Sequence, residues 1–348
     1  METTYQKYDT QNMFGIIFNF AEQLEDALNI GKRLALKNNY QNIKQIVFAG
    51  MGGSAIAGDI VALLSAPVAT IPMIVTRTYT LPTWVNEHTL VICLSYSGNT
   101  EETLSSFADA QAKKAHILGI TSGGHLGSLL QTYGYDSIII PGGIPPRASL
   151  GYLSLPLLFV MNHIGLLPKS FVQDIQSTIA LLKKIRITWS TEKALDNPTW
   201  NIASKIYNTY PLIYGEAERT SIIARRLRSQ LAENSKMLSG SHELPELDHN
   251  EIVGFHKNSE LLKYFGVLWL IDKDLKPEMS KRLEITKEII DPLVRYQISI
   301  EAEGNNFIER MLYLIHFCDW ISYWCAILHH EDPTPVDRIN RLKQLLTK

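Results

Sequence analysis

Short β-branched runs alternate with stretches of helical apolar spacing along the whole chain. Residues 12–40 (FGIIFNFAEQLEDALNIGKRLAL at their centre) have the spacing of an amphipathic helix. KQIVFAG then reads as a strand closing on glycine, and MGGSAIAGDIVALL returns to a helical period. The alternation repeats: PMIVTR and HTLVICLSYSG predict strands, NTEETLSSFADAQAKK a helix, HILGITSGGHLGSLL a strand, glycine loop and helix, and YDSIIIPGG a further strand. Strands interleaved with helices of about a dozen residues predict βαβ units and a parallel sheet, an α/β fold.

A second series follows the apolar block 150–168 and the helix-like FVQDIQSTIALLKKI. YPLIYGEAER and TSIIARRLRSQLAENSKM repeat strand, turn and helix. LLKYFGVLWLID, EITKEIIDPL and YQISIEAEG add strand and helix segments, RMLYLIHFCDWISYWCAILHHE predicts a long buried helix, and RINRLKQLLTK a short final one. No sequence repeat is visible, but both halves share one rhythm of elements. The expected domains are therefore 1–155 and 156–348.

Length supports the same division, since 348 residues exceed the roughly 150 of one typical domain. Lys and Arg (33) nearly balance Asp and Glu (35), which argues against a protein living on the phosphate backbone of nucleic acid. Three cysteines without CxxC or zinc spacing exclude a disulfide scaffold and a thiolate cage, as expected for a reducing compartment. The start METTYQKYDTQNMF lacks the charged-then-apolar pattern of a signal peptide, so a cytoplasmic location is expected. Residues 148–168 carry no charged side chain, but Pro156, Asn162 and His163 interrupt them, predicting a buried helix rather than a membrane span.

Two loops carry candidate chemistry. In GMGGS (residues 50–54) a strand runs through glycines into a helix, so the backbone can approach an anion and the helix N-terminus can face it. The loop does not give GxGxxG in register, nor the lysine of a P-loop. In SYSGNTEETL (residues 95–104) Ser95, Ser97 and Thr100 set three hydroxyls around Gly98 at a second strand end. Either loop alone could be an ordinary capped β–α turn. Two of them on successive strands point to a ligand at the sheet's switch point. Gly53, Ser54, Ser95, Ser97 and Thr100 are the candidate phosphate-binding residues.

GMGGSAIAGD, SYSGNTEETL and TSGG (residues 121–124) resemble the phosphosugar-binding loops of the sugar isomerase (SIS) domain. That resemblance implies two SIS-type three-layer αβα sandwich domains with mainly parallel sheets. Further on, PRASLG, AENSK, ELPELDHNE and DPTPV with a following LK stand in the order found in the bifunctional phosphoglucose/phosphomannose isomerase family, across essentially the whole chain.

Aldose–ketose isomerisation requires ring opening and then proton transfer between C2 and C1 through a cis-enediol, for which one carboxylate suffices. The resemblance implies Glu233 as that base and Arg147 as the cation beside the developing enediolate. It also implies His249 for ring opening, reaching the site from an adjacent subunit of a homodimer, with Lys343 holding or relaying a proton. Thr334 in PTPV is the candidate for the family's hydroxyl that tolerates both configurations at C2. Without the family pattern, Glu233 would read as a solvated helix position, Arg147 as a domain anchor and Lys343 as part of a frayed terminus. Arg219, Arg225, Arg226 and Arg228 read as one polar helix face rather than a nucleic-acid patch. The expected activity is reversible conversion of glucose 6-phosphate and mannose 6-phosphate to fructose 6-phosphate. It needs no cofactor and no metal, and the expected site lies at the domain junction. The alternatives are another phosphosugar isomerase or a non-catalytic SIS sensor of sugar phosphates.

Overall fold

A computed structural model describes residues 4–256 and 260–346. The chain packs as two compact units, Asn19–Ala180, and Met1–Phe18 together with Leu181–Lys348. Helices α1 (Thr4–Tyr8) and α2 (Met13–Phe18) thus belong with the C-terminal half. The helix expected over 12–40 is divided between α2 and α3 (Phe20–Lys32), and the chain after α3 has no regular structure until residue 45.

The first unit holds α3, β1 (Gln45–Gly50), α4 (Gly52–Ser65), β2 (Met73–Thr76), β3 (Thr89–Leu94), α5 (Glu101–Ala112), β4 (His116–Thr121), α6 (Gly124–Thr132), β5 (Asp136–Ile139) and α7 (Leu150–His163). Its five strands run parallel in the order β2-β1-β3-β4-β5. Every residue of β3 is buried, as expected of a central parallel strand covered on both faces, whereas edge strand β5 alternates buried and exposed. Phe107 and Ala110 of α5 and Leu126 and Leu130 of α6 pack with Val47, Val91 and Cys93 of the sheet. Helix α4 packs on β1 and β2, with α7 against α3 and α4. The uncharged stretch after Arg147 is therefore a buried core helix, with Pro156 inside it.

Helix α8 (Phe171–Trp189) crosses the division between the units. The second unit continues with α9 (Pro198–Ile206), β6 (Tyr210–Glu216), α10 (Ser221–Ser235), β7 (Gly240–Leu244), β8 (Phe265–Ile271), α11 (Pro277–Ile290), β9 (Gln297–Glu301), α12 (Phe307–Leu328) and α13 (Asp337–Leu346). Four parallel strands lie in the order β7-β6-β8-β9, the same arrangement as the first four of the other sheet. Tyr214, Val267 and Trp269 pack on Leu283 and Ile290 of α11, while α10 lies against β6 and β7 and is in turn covered by α12. Helix α12 is long and apolar enough to cross a membrane by length and composition, but 94% of its apolar window is buried.

Aromatic packing explains why residues 4–18 belong here. Phe14 meets Trp320 at 5.2 Å between ring centroids, and Tyr5 stacks on Phe14 at 4.4 Å. Asp9 accepts the Met13 and Phe14 amides, both at 2.7 Å, and so heads α2. Removing these rings from water offsets the entropy of ordering a short N-terminal segment.

Candidate active site

In the first unit, loops at the carboxyl ends of β1, β3 and β4 converge where the strand order reverses, the usual ligand position of an open parallel sheet. At the end of β1, the Ser54 and Ala55 amides make the first bonds of α4, both to the Met51 carbonyl. The Gly52 and Gly53 amides therefore head the helix, where an anion is favoured.

Gly53 also allows a second segment to approach. A Cβ there would stand 3.0 Å from the Pro146 carbonyl and 3.5 Å from the Arg147 Cα, so the backbone carrying Arg147 lies against the start of α4. The Gln23 side chain brackets that segment, donating to the Ala148 carbonyl and accepting the Gly151 amide, both at 2.8 Å. Arg147 is 7% exposed. Three of the expected residues, Gly53, Ser54 and Arg147, are thus gathered at one helix start.

The β3 loop is built on the sheet's last turn. Ser95 is buried and its hydroxyl donates to Thr100 Oγ1 at 2.9 Å, while the neighbouring Tyr96 amide donates to Ser54 Oγ at 3.4 Å. The second of these bonds ties the β3 loop to the β1 loop at Ser54. Ser97 is exposed and its hydroxyl accepts the Asn99 amide at 3.3 Å. Gly98 has φ +70°, and a Cβ there would stand 1.9 Å from the Gly123 carbonyl oxygen. No side chain fits between the second and third loops. The third loop's backbone also donates to the second: the Ser122 amide to the Tyr96 carbonyl (2.9 Å) and the Leu126 amide to the Gly98 carbonyl (2.9 Å).

Tyr96 is a member of this site that the sequence pattern did not single out. Burial pushes its phenol up, and its hydroxyl accepts the Ile144 amide at 3.3 Å, joining the glycine-proline segment before Arg147 to the β3 loop. Gln23 was equally hidden, because a glutamine on an amphipathic helix gives no signal of the distant backbone it holds.

Glu233, His249 and Lys343 all lie in the second unit. Glu233 is half-buried in the last turn of α10. That helix is fixed to α12 by buried polar contacts: Gln230 donates to Asp319 at 2.7 Å, Asn234 to the Ser322 hydroxyl at 3.0 Å, and Ser235 to the Ser322 carbonyl at 2.6 Å. Lys236, just beyond, donates from Nζ to the carbonyls of Glu233 (3.0 Å), Asn234 (3.2 Å) and Asp332 (2.7 Å). Thr334 lies in the same turn, its amide donating to Asp332 Oδ1 at 2.8 Å.

His249 ends a 3₁₀ turn (Glu246–His249), is exposed, and makes no side-chain hydrogen bond among the described residues. The flanking Asp248 is held by Thr286 (2.9 Å) and Arg282 (3.2 Å) of α11. Lys343 lies exposed on α13, whose described residues include none that is buried.

The switch point of the second sheet is filled differently. Asp272 follows β8, the position that Ser95 holds after β3, and it is fully buried. Arg219 donates to it at 2.6 Å and lies 3.4 Å from Glu216 at the end of β6. Arg310 donates to it at 2.6 Å and pairs with Asp274 as well. Burial opposes the Asp272 charge, but the bonds from Arg310 and Arg219 outweigh it and hold the carboxyl below its usual range. The arginines of 219–228 do not form the single polar face expected of them. Arg226 is 5% exposed and grips Asp319 with both terminal nitrogens.

Residues 39–131 match the SIS domain family, and residues 195–346 match the bacterial phospho-glucose isomerase C-terminal SIS domain family. The chain is 38% identical over 337 residues to a bifunctional phosphoglucose/phosphomannose isomerase of Caldicellulosiruptor bescii, covering 97% of this chain and 99% of that protein. A protein of the same description from Aquifex aeolicus is 37% identical, covering 88% and 91%. In fold, the chain is similar to the C-terminal domain of glucosamine-fructose-6-phosphate aminotransferase from Francisella tularensis (TM-score 0.71, 17% identity, 93% and 98% covered).

Proposed function

The chain belongs to the bifunctional phosphoglucose/phosphomannose isomerase family, and on that premise we propose that it interconverts glucose 6-phosphate and mannose 6-phosphate with fructose 6-phosphate. The observation carrying this reading beyond membership is the three-loop crevice of the first unit. Its helix-heading amides, the hydroxyls of Ser54, Ser95, Ser97 and Thr100 and the adjacent Arg147 suit a phosphorylated polyol. A coupled assay with each aldose phosphate, with and without chelator, tests it. Turnover of both is expected, and folded protein inactive on both would refute it.

In the mechanism we infer, the phosphate group rests against the loops headed by Gly53 and Ser95. His249, supplied by a second copy of the chain, and Lys343 move protons as the ring opens. The Glu233 carboxylate then removes the C2 proton and returns it to C1, while Arg147 stabilises the negative charge that develops on the enediolate oxygens. Both C2 epimers give the same planar enediolate but release their protons from opposite faces, so one base serves both if the sugar chain turns about the C2–C3 bond to bring either proton to it. Glu233→Gln should bind sugar phosphate but lose proton exchange at C2, and unchanged exchange would put the base elsewhere.

His249 is exposed on a single chain and so open to a second copy, and we infer a homodimer with shared sites, acting in the cytoplasm. Mixing inactive Glu233→Gln with inactive His249→Ala tests the sharing. Each hybrid dimer regains one intact site, so about a quarter of wild-type activity returns for statistical mixing of a two-fold dimer. Hybrids without activity would rule out the shared arrangement.

A further inference from the structure

Lys236 has a backbone that lysine does not favour. It ends α10 with φ +57°, the left-handed conformation usually given to glycine at a helix C-terminus. A side chain there crowds the adjoining backbone, so its retention calls for a gain elsewhere. The gain is visible at the other end of the side chain. The ammonium donates to the carbonyls of Glu233, Asn234 and Asp332, matching its three N–H donors with three acceptors. Two of those carbonyls belong to the last turn of α10, where a cation also complements the helix dipole.

The third acceptor reaches a different part of the chain. Asp332 sits in the turn between α12 and α13, and its side chain accepts the Thr334 amide. His329 Nδ1 lies 3.1 Å from the Ser235 carbonyl, so the turn meets the end of α10 at two successive residues. The Val336 carbonyl then accepts the Ile339 and Asn340 amides as α13 begins. One side chain therefore joins the backbone of Glu233 to the turn from which the helix of Lys343 starts.

We propose that Lys236 is a positioning residue for the isomerase reaction, holding the Glu233 segment in register with the 329–336 turn. This rests on Glu233 being the base. The role is separate from capping the helix: glycine would cap a left-handed C-terminus better than lysine but cannot make the bridge.

Lys236→Gly is therefore the informative variant. It removes the ammonium and relieves the unfavourable φ, so a melting temperature within a few degrees of wild type is expected. With reacting groups misplaced by even an ångström, kcat should fall roughly 10- to 100-fold, with KM changed far less because the phosphate loops lie in the other unit. A wild-type kcat would overturn the proposal. So would a variant that melts well below wild type, because the lysine would then be holding the fold rather than the base. Lys236→Met, run beside it, keeps the φ cost and loses the bridge, and should match the glycine variant in kcat while melting lower. Lys236→Met with wild-type kcat would also overturn the proposal. Glu233→Gln in the same series separates the premise from the inference. If it is inactive and Lys236→Gly is fully active, only the positioning role fails; if Glu233→Gln keeps full turnover, the assignment of the base fails and the proposal with it.

Discussion

Gly98→Ala tests how closely the crevice loops are interlocked. Its new methyl would start 1.9 Å from the Gly123 carbonyl oxygen. A relaxed C···O contact is about 3.3 Å, so the β3 and β4 loops would have to part by roughly 1.4 Å. The alanine would also occupy φ +70°. The left-handed conformation costs roughly 1–2 kcal/mol and overpacking another 1–3, for a total of about 2–5 kcal/mol. In a unit of this size each kcal/mol corresponds to roughly 2–4 °C of melting temperature, so a fall of roughly 4–20 °C is expected. Gly134→Ala is the matched control, since Gly134 has φ +68° with nothing within 4 Å of the added Cβ. It carries the conformational cost alone. Calorimetry of both variants, with KM for each sugar phosphate, separates clash from strain. The reasoning is refuted if the two variants melt together and both keep the wild-type KM.

Breaking the buried pair by Arg226→Met should cost about 3–5 kcal/mol in urea unfolding, because the buried Asp319 would lose its guanidinium partner, and Arg226→Met/Asp319→Leu should regain most of that. Burial opposes the Asp136 charge, but the amides of Lys37 and Asn38 and the Tyr40 hydroxyl outweigh it and hold its pKa below the usual range. Because the folded value is the lower one, this stability is complete above the unfolded pKa of about 3.9 and is lost as pH falls through the folded value. Asp136→Asn should flatten the fall of melting temperature below about pH 4; an unchanged acid slope would contradict the assignment. Burial pushes the Cys93 thiol up to about 12 and raises Cys318 and Cys325 as well, so a thiol reagent at pH 8 should label none of them before unfolding. Labelling of the native protein would show that these positions open.

The parallel strands were legible because burial on both faces leaves a continuous apolar run, as in TLVICL of β3 and FGVLWLI of β8. Strand β7, GSHEL, escaped because it has neither such a run nor a clean alternation, and only its pairing with β6 makes it a strand. Helix α9 could have been found: Asn197 followed by Pro198 is a start signal, and the Asn197 side chain does accept the Thr199 and Trp200 amides. The convergence of the glycine and hydroxyl loops was readable because these residues act locally at strand ends. The roles of Gln23, Tyr96 and Lys236 were not, since each holds backbone far away in sequence. The arginines of α10 were misread for a related reason: periodicity reports which face a residue occupies, and nothing near Arg226 in sequence announces Asp319.

The ion network around Asp272 gives the second sheet a different relation to anions. Two sheets share a strand order, yet where one offers hydroxyls the other offers Glu216, Asp272 and Asp274 against the guanidinium groups of Arg219 and Arg310. A phosphate dianion arriving there would find the Arg219 and Arg310 guanidinium groups already engaged by carboxylates. The repeated frame is thus self-sealed at its second mouth, and titration with a sugar phosphate should saturate at one equivalent per chain.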